Sequence, residues 1–246
     1  MPITTLEPLG VRVTERAVAA LGAADATRLR ELLAEHGVVV LPGQDSVDDA
    51  AFVGFLASLG ELMFTEGETP VPGFADLNVV TNIGRVTPPR SVFHVDTSYV
   101  ARPPAYTALR AVRIPERGGQ TLFTDQYRAF DTLAGEVRER LDGRTVTHRV
   151  DGAAAEHPVF RRHPVSGRTS LYLSTPQRCV AISGMDAAEA TEMIDFLYAH
   201  STDAPAYRHS WSPGDVVMWD NGCVLHRADH DGVVGHRVLH RGMVRG

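Results

Sequence analysis

The sequence predicts a mostly β fold with flanking helices, of the jelly-roll or double-stranded barrel class. After residue 91, short runs of apolar and β-branched residues alternate with Gly- and Pro-rich turns through most of the chain. Apolar residues at helical spacing occur mainly before Gly60 and again over residues 187–200. A length of 246 residues suits one sizeable hydrophobic core, so we predict a single domain over residues 1–246.

The first part of the chain predicts an α-β-α unit that precedes the strand-rich body. Helices are expected over residues 14–21 and 24–36, where apolar residues recur at helical spacing, and Gly37 ends the second one. A buried strand follows over residues 38–41. A third helix is predicted over residues 46–59, with its first residue, a serine, as the N-cap.

The strand-rich body is predicted from short apolar segments that turn residues separate. The predicted strands cover residues 91–100, 105–114, 120–125, 144–150, 159–162, 169–174, 179–182, 215–219, 223–225 and 236–244. Helices are predicted within this body over residues 126–133, 136–141 and 187–200.

Residues 61–90 are rich in Gly, Pro and Thr and contain one predicted strand, at residues 77–82. This segment runs directly into His94. Because long loops in compact domains usually serve as lids or binding segments, we predict that residues 61–90 form an active-site lid.

The composition of the chain limits its partners. Its 30 acidic and 24 basic residues give a net charge of −6 and are spread without blocks. This pattern argues against nucleic-acid or membrane partners and favours a small-molecule substrate. The chain contains no lysine, so chemistry that needs a lysine amine, such as Schiff-base formation, is excluded. A monomer and a homo-oligomer are both compatible with this composition.

Cysteine usage and the N-terminal sequence point to a cytoplasmic protein. Cys179 and Cys223 are too few for a disulfide framework and suit a reducing compartment. The chain contains no apolar stretch of membrane-spanning length, and residues 1–10 show no targeting pattern.

The segment Phe93-His94-Val95-Asp96 carries the first candidate metal ligands. In an extended strand, alternate side chains point to the same face, so the imidazole of His94 and the carboxylate of Asp96 can bind one ion. Two histidines and one carboxylate form the face that binds non-haem Fe(II) and leaves positions open. A His-x-Asp pair alone is common by chance, so this prediction depends on a second histidine.

His226 and Arg237 supply the remaining features of such a site. His226 follows an apolar strand and turn that contain Trp219, and it lies 130 positions after Asp96 (226 − 96). An adjacent strand of a barrel would bring His226 back to the first two ligands. Strand alternation then places Arg237 and Arg241 on one face of a later strand.

At this point the chain resembles the taurine dioxygenase (TauD/TfdA) family of Fe(II)- and 2-oxoglutarate-dependent oxygenases. The resemblance runs from about residue 30 to the C-terminus, with the landmarks in the family's order. The matching motifs are Gly60-Glu61-Leu62, His94-x-Asp96 with Ser98-Tyr99, Pro103-Pro104, Gly118-Gly119-Gln120-Thr121 with Thr124-Asp125, His157-Pro158 with Arg161, His163-Pro164-Val165-Ser166-Gly167-Arg168, Trp219-Asp220-Asn221 with His226, and Arg237-x-x-His240-Arg241. The resemblance implies a double-stranded β-helix core of the jelly-roll, cupin-like type.

The resemblance also implies roles for the matching residues. His94, Asp96 and His226 would bind Fe(II), with 2-oxoglutarate and O2 as co-substrates. Arg237 would bind the distal carboxylate of 2-oxoglutarate, since its planar guanidinium meets a carboxylate with two hydrogen bonds, and Thr121 would bind the same carboxylate. The expected reaction oxidises, most often by hydroxylation, a C–H bond of the substrate and releases succinate and CO2.

The substrate is expected to be a small polar or anionic molecule. In terms of the family, Arg241 would pair with an anionic group of the substrate, and Phe93 would line the pocket. Residues 63–68 lack the histidine with which other members bind a sulfonate, which argues against taurine itself. The acidic character of that segment suits an amine-bearing or zwitterionic substrate, such as an amino acid derivative.

Three alternatives remain open from the sequence. Desaturation or another oxidative rearrangement is compatible with the same residues. A zinc-dependent hydrolase or lyase could use the same His-Asp-His face, although it has no need of Arg237. A non-catalytic binding module is the third reading, but buried charges without metal and ligand would be costly in it.

Overall fold

The structure is a computed structural model that describes residues 1–84 and 91–245. Its α-helices are α1 (Ala23–His36), α2 (Asp49–Leu59), α3 (Gln126–Asp131), α4 (Gly135–Leu141) and α5 (Ala187–Thr202). Its strands are β1 (Ile3–Thr5), β2 (Val11–Val13), β3 (Val38–Leu41), β4 (Leu62–Met63), β5 (Pro70–Val71), β6 (Phe74–Thr81), β7 (Pro104–Arg113), β8 (Thr121–Asp125), β9 (Thr145–Val150), β10 (Ala153–Pro158), β11 (Phe160–Arg162), β12 (Thr169–Leu171), β13 (Cys179–Ile182), β14 (Tyr207–His209), β15 (Val216–Asp220), β16 (Val224–Ala228) and β17 (Val238–Arg245).

Two β-sheets form the core of the fold. The larger sheet has nine strands in the order β1-β2-β3-β15-β7-β17-β6-β5, with β4 also paired to β17. A smaller sheet, β14-β8-β16, packs against it through a shared apolar layer that includes Phe123 and Trp219. The predicted mostly β fold with flanking helices and a jelly-roll core is therefore confirmed.

Strand β3 shows why the larger sheet is buried on both faces. Val39 and Leu41 pack towards α1 and α2, whereas Val38 and Val40 pack towards the smaller sheet. All four side chains are fully buried. A strand covered on both faces reads as a continuous apolar run, as this one does.

Helix α2 is fixed closely against β17, the strand that follows Arg237. A Cβ atom on Gly242 would lie 2.1 Å from the Leu56 side chain, so only glycine permits this approach. At the other end of the helix, one carboxylate oxygen of Asp49 accepts hydrogen bonds from Arg110 and from His240, both at 2.6 Å. These contacts hold β17 in position beneath the site described below.

The predicted helix over residues 14–21 is wrong. Only a short 3-10 helix, Val18–Ala20, occurs there, because the Val18 N–H donates to the Gln44 side chain (2.7 Å) rather than within a helix. The third helix begins later than predicted, at Asp49. Its N-cap is Asp48, whose carboxylate accepts from the Ala51 N–H at 2.8 Å.

Part of the predicted lid forms strands. Residues 61–84 contain β4, β5 and β6, of which only β6 overlaps the predicted strand. The rest of the predicted lid, residues 85–90, lies outside the described residues. Strands β1, β2, β10 and β14 were not predicted. Cys179 and Cys223 are both buried and free, and the described helices include none that is long and apolar enough to span a membrane.

Candidate functional site

The two predicted metal-binding histidines lie on directly paired backbone segments. The backbones of His94 and His226 exchange two hydrogen bonds, at 3.0 and 3.1 Å. His94 is therefore paired alongside β16 through a single-residue bridge at the edge of the small sheet. The predicted strand over residues 91–100 is otherwise wrong. The chain turns at Asp96, and Thr97 adopts a positive φ of 46°, which lets the backbone leave the sheet after the second candidate ligand.

The side chains of His94, Asp96 and His226 converge, although His94 and Asp96 do not lie on the regular strand that was predicted for them. The His94 Nε2 atom lies 3.8 Å from Asp96 Oδ1, and the His226 Nε2 atom lies 3.6 Å from Asp96 Oδ2. The three donor atoms all lie within 4.8 Å of one another, and all three residues are buried. Two imidazole nitrogens and a carboxylate at this separation fit one divalent ion.

Each histidine is held in the orientation that points Nε2 into this cluster. The Nδ1 atom of His94 forms a hydrogen bond with the Val92 carbonyl at 2.9 Å. The His226 ring instead packs against the Trp219 indole, with ring centroids 4.4 Å apart. The hydrogen bond fixes both the ring and the tautomer of His94, because a carbonyl only accepts. Packing holds the ring of His226, whose buried Nδ1 atom has no hydrogen-bond partner among the described residues.

Asp96 is held by a network that also explains the Trp219-Asp220-Asn221 motif. Thr107 on β7 donates to Asp96 Oδ2 at 2.8 Å and accepts from the Asn221 amide at 2.8 Å. The Asn221 oxygen in turn accepts from the Trp219 indole at 3.2 Å. Thr107 lies 11 residues beyond Asp96, and its role was not predicted, because a lone threonine in a strand carries no sequence signal of such a contact.

The electrostatics of the cluster favour the protonation states that bind a cation. Burial alone would raise the pKa of Asp96, but the charges of His226, Arg241 and His94 and the Thr107 hydrogen bond outweigh burial and lower it. Burial lowers the pKa of His226 to about 3 despite the attraction of Asp96. At neutral pH the cluster therefore presents a carboxylate and a neutral imidazole, the forms that ligate metals.

Arg237 lies in a buried pocket with Thr121 and Gly119. Its side chain donates from Nε to the Gly119 carbonyl (2.8 Å) and from Nη2 to the Thr121 hydroxyl (3.1 Å). Gly119 has a φ of 72°, and a Cβ there would lie 3.0 Å from the Arg237 side chain, so the glycine makes room for the guanidinium. Burial lowers the pKa of Arg237 to about 10. Its Nη1 atom is buried without a hydrogen-bond partner in the described part of the chain.

Trp211 also lies beside Arg237 and Thr121, and the sequence did not predict that it belongs to the site. Its indole N–H donates to the Thr121 hydroxyl at 3.2 Å, and its ring centroid lies 5.9 Å from the guanidinium carbon of Arg237. The His209 ring packs edge-on against it, with centroids 4.7 Å apart. Because the Thr121 oxygen accepts from both Arg237 and Trp211, its own hydrogen is left to point towards a ligand.

Arg241 reaches the candidate metal-binding cluster itself. It donates to Asp96 Oδ1 at 3.2 Å, to Asn78 Oδ1 at 2.9 Å and to Glu68 Oε1 at 3.4 Å. Phe93 points away from His94 into a small apolar cluster with Val95, Leu122, Tyr172 and Leu225. A role in substrate binding stays a prediction for both Arg241 and Phe93.

Acidification is expected to destabilise the metal-free protein through His148, which is fully buried and contacts the Ser98 hydroxyl at 2.9 Å. Burial, with the charges of His157 and Arg178, lowers the pKa of His148 from 6.5 to about 3. Between pH 6.5 and about 3, His148 therefore binds a proton in the unfolded chain but stays neutral in the folded chain. The free energy of unfolding consequently decreases as the pH falls from 6.5 towards 3.

In His148→Asn, we expect the slope of unfolding free energy against pH to decrease by up to about 1.4 kcal/mol per pH unit in that window. Urea titrations of both metal-free proteins between neutral and acidic pH measure this slope. Parallel curves for variant and wild type would show that His148 is not the titrating group.

Comparison with known proteins gives one family across nearly the whole chain. The family described as "Taurine catabolism dioxygenase TauD, TfdA family" matches residues 3–243. A Schizosaccharomyces pombe protein, a candidate alpha-ketoglutarate-dependent sulfonate dioxygenase, is 30% identical over 238 residues, which cover 86% of this chain and 60% of that protein's length. The alpha-ketoglutarate-dependent 2,4-dichlorophenoxyacetate dioxygenase of Cupriavidus pinatubonensis is 28% identical, with 90% of this chain and 89% of that protein covered.

A solved structure supports the same relationship. The structure of a taurine dioxygenase from Burkholderia xenovorans aligns with a TM-score of 0.88 and 27% identity. The alignment covers 100% of this chain and 90% of that one. Both sequence relatives are named for their dependence on alpha-ketoglutarate, which is 2-oxoglutarate.

Proposed function

We infer that this chain, which belongs to the TauD/TfdA family of dioxygenases, oxidises a C–H bond of a small organic anion with Fe(II), 2-oxoglutarate and O2. Membership of this family identifies the chain as an Fe(II)- and 2-oxoglutarate-dependent dioxygenase. We propose that His94, Asp96 and His226 bind Fe(II). Arg237 and Thr121 bind 2-oxoglutarate.

The buried guanidinium of Arg237 is the observation that carries this proposal. It is only 2% exposed, and no carboxylate of the described residues forms an ion pair with it. A buried charge without a counter-ion is strongly unfavourable. The distal carboxylate of 2-oxoglutarate would supply that counter-ion, and the unpartnered Nη1 atom offers it a donor. A zinc hydrolase on the same three ligands would leave Arg237 unexplained.

Each residue then has a physical task. When bound, Fe(II) supplies the redox chemistry that couples O2 reduction to oxidative decarboxylation, so that one oxygen atom enters succinate and the other enters the product. His94, Asp96 and His226 would hold the metal, and three protein ligands would leave it able to bind small ligands as well. Arg237 and Thr121 anchor the far end of 2-oxoglutarate, which orients its 2-oxo acid end towards the metal.

The names of the relatives support a proposal for the substrate class. They are named for sulfonates and for 2,4-dichlorophenoxyacetate, all of them small organic anions. We propose a substrate of this charge class for the present chain and hydroxylation as the outcome. The cytoplasmic location and the lack of nucleic-acid and membrane partners stay predictions.

We also propose that the described part of the lid, residues 61–84, covers the site. The Thr65 hydroxyl contacts the Thr97 hydroxyl at 3.0 Å, one residue beyond Asp96. The second contact joins Glu68 to Arg241. Both contacts lie between the predicted lid and residues beside the metal-binding cluster, as a lid requires.

Binding of 2-oxoglutarate tests the proposed function directly. Fe(II)-loaded protein is titrated with 2-oxoglutarate without oxygen, and succinate is then measured after oxygen is admitted. We expect binding, and decarboxylation that is lost in Arg237→Ala. Failure of the Fe(II)-loaded protein to bind 2-oxoglutarate would reject the proposal, and ester hydrolysis by zinc-loaded protein without 2-oxoglutarate would favour the hydrolase.

Replacing Trp211 with phenylalanine is expected to weaken 2-oxoglutarate binding about five- to tenfold, since it removes one hydrogen bond worth about 1 kcal/mol that orients Thr121. The aromatic packing on Arg237 is kept. Calorimetric titration measures the affinity, and the turnover number at saturating 2-oxoglutarate should change little. An unchanged affinity would mean that the indole N–H does not orient the Thr121 hydroxyl.

A further inference from the structure

His209 lies beside the pocket formed by Arg237 and Thr121. It is the last residue of β14, and the sheet register places it directly opposite Thr121 on β8. Directly opposed residues of an antiparallel pair have their side chains on the same face of the sheet. The His209 ring is buried and packs edge-on against the Trp211 indole, with ring centroids 4.7 Å apart. His209 therefore contacts the group that donates to the Thr121 hydroxyl.

Both ring nitrogens of His209 have partners, which fixes the orientation of the ring. The Nε2 atom lies 3.1 Å from Asp215 Oδ2, and the Nδ1 atom lies 3.2 Å from the Tyr207 hydroxyl. Because a carboxylate only accepts, Nε2 carries the hydrogen in the neutral ring, and Nδ1 accepts from Tyr207. Rotation of the ring would break both hydrogen bonds. The position of the ring against the indole is therefore fixed.

Asp215 holds the chain on both sides of Trp211. Its Oδ2 atom accepts from the ring of His209, which precedes the tryptophan, and from the backbone N–H of Ser212, which follows it, at 2.8 Å. Asp215 is buried, and its carbonyl accepts from the Ala111 N–H on β7 at 2.9 Å. One buried carboxylate oxygen therefore ties the segment that carries Trp211 to the larger sheet.

The Trp211 indole needs such support because it lies outside the strands, in the connection between β14 and β15. A further contact of this connection joins Gln120 to Ser210 at 2.8 Å, but it is exposed, so water competes for it. A hydrogen bond weakens steeply when its angle is lost. Small rotations of the indole would therefore remove its hydrogen bond to Thr121.

We propose that His209 and Asp215 form a positioning pair for the co-substrate site. They hold the Trp211 indole so that its N–H donates to the Thr121 oxygen and leaves the Thr121 hydrogen to point towards the distal carboxylate of 2-oxoglutarate. Neither member of the pair touches the co-substrate. This inference rests on the proposed function, because it deepens the assignment of Thr121 and Arg237 to 2-oxoglutarate.

A double-mutant cycle between His209 and Trp211 tests the inference. His209→Phe keeps an aromatic ring against the indole and removes both ring hydrogen bonds, whereas His209→Gln keeps an N–H that can donate to Asp215. Each change is made alone, and His209→Phe is also combined with Trp211→Phe. The co-substrate 2-oxoglutarate is titrated calorimetrically into the Fe(II)-loaded proteins without oxygen.

We expect His209→Phe to weaken 2-oxoglutarate binding about five- to tenfold, as Trp211→Phe should, because both remove the oriented hydrogen bond to Thr121. The double variant should bind within about twofold of Trp211→Phe alone, since the pair acts only through the indole N–H. His209→Gln should stay within about twofold of wild type.

His163→Phe is the matched control for the loss of a buried histidine–aspartate pair. The His163 ring is buried, lies 3.0 Å from the Asp220 carboxylate and packs edge-on against Tyr127. The substitution should lower the unfolding free energy of the ligand-free protein and leave 2-oxoglutarate affinity within about twofold of wild type. A loss of affinity equal to that in His209→Phe would show that any buried histidine has this effect, and would overturn the inference.

The indole N–H signals give a readout that is independent of the co-substrate. The chain has two tryptophans, Trp211 and Trp219, so a proton–nitrogen correlation spectrum contains two indole signals, and Trp211→Phe assigns them. In zinc-loaded protein, which is diamagnetic, His209→Phe should shift or broaden the Trp211 signal and leave the Trp219 signal in place. A general loss of stability would not single out Trp211.

Two further results would overturn the inference. One is an equal loss of affinity from His209→Phe with and without the Trp211 indole. The other is wild-type affinity together with an unmoved Trp211 signal in His209→Phe. In both cases the wild type still binds 2-oxoglutarate, whereas its failure to bind would reject the proposed function itself. Should His209→Phe fail to fold, Asp215→Asn, which removes the charge from both hydrogen bonds, takes its place with the same expected non-additivity.

Discussion

Arg237→Met is expected to weaken 2-oxoglutarate binding by about a hundredfold or more, because losing one partner of a buried charge pair typically costs about 2–5 kcal/mol. The same substitution should leave the ligand-free protein at least as stable as wild type. Methionine fills a similar volume, and it replaces a buried cation that has no carboxylate counter-ion in the described residues. Calorimetric titration and urea unfolding measure the two effects on the same preparations.

The combination of the two results is what distinguishes a ligand-binding arginine from a structural one. Arg110 offers a matched control, since its guanidinium is engaged by the Asp49 carboxylate at 2.6 Å. In Arg110→Met the unfolding free energy should fall, while 2-oxoglutarate affinity should stay close to wild type. If Arg237→Met behaves as Arg110→Met does, Arg237 serves the fold and the proposed co-substrate site is elsewhere.

The sequence predicted well those features that depend on local periodicity. Helix α1, strand β3 and strand β13 lie where the pattern of apolar residues placed them. The helix predicted over residues 14–21 failed because a side chain distant in sequence, Gln44, takes the Val18 N–H. Local propensity is a weak determinant where a tertiary hydrogen bond competes with it.

The candidate site was predictable only in part, for a similar reason. His94, Asp96, His226 and Arg237 belong to motifs whose residue types carry the chemistry, so they could be chosen before the fold was known. The return of His226 to His94 and Asp96 was predicted, but the backbone there was not. A single bridge at His94 and a turn from Asp96 replace the regular strand that the sequence favoured. Thr107 and Trp211 act through hydrogen bonds to other site residues. A lone threonine or tryptophan gives no sequence signal of such a contact.

Glu68 shows most clearly which contacts of the site could not be predicted from the sequence. Its acidic character was visible in the sequence, but its ion pair with Arg241 depends on how residues 61–84 fold over the site. The resemblance to the family suggested Arg241 as the partner of an anionic group of the substrate, without reference to Glu68. A role for Arg241 in substrate binding stays a prediction, and its contacts in the structure are with Asn78, Asp96 and Glu68.

Asp96→Ala is expected to abolish turnover and to weaken metal binding by more than about a hundredfold, since loss of a residue that merely orients a ligand already costs about 10–100-fold. Asp49→Asn is the matched control, because Asp49 also accepts from an arginine and a histidine, but among the described residues no second histidine contacts it. Asp96 is buried and Asp49 is partly buried, and each pairs with an arginine and a histidine, so both substitutions should lower the unfolding free energy of the metal-free protein.

Only Asp96→Ala should also remove the stabilisation that added metal gives, because that stabilisation grows with the ratio of metal concentration to its dissociation constant. Thermal unfolding with and without Fe(II), or with zinc as a redox-inert substitute, measures it without reference to turnover. Equal metal-induced stabilisation in Asp96→Ala and wild type would show that Asp96 is held by Arg241 and Thr107 for structural reasons alone. Its lowered pKa would then reflect an ion pair, and the metal would have to bind elsewhere.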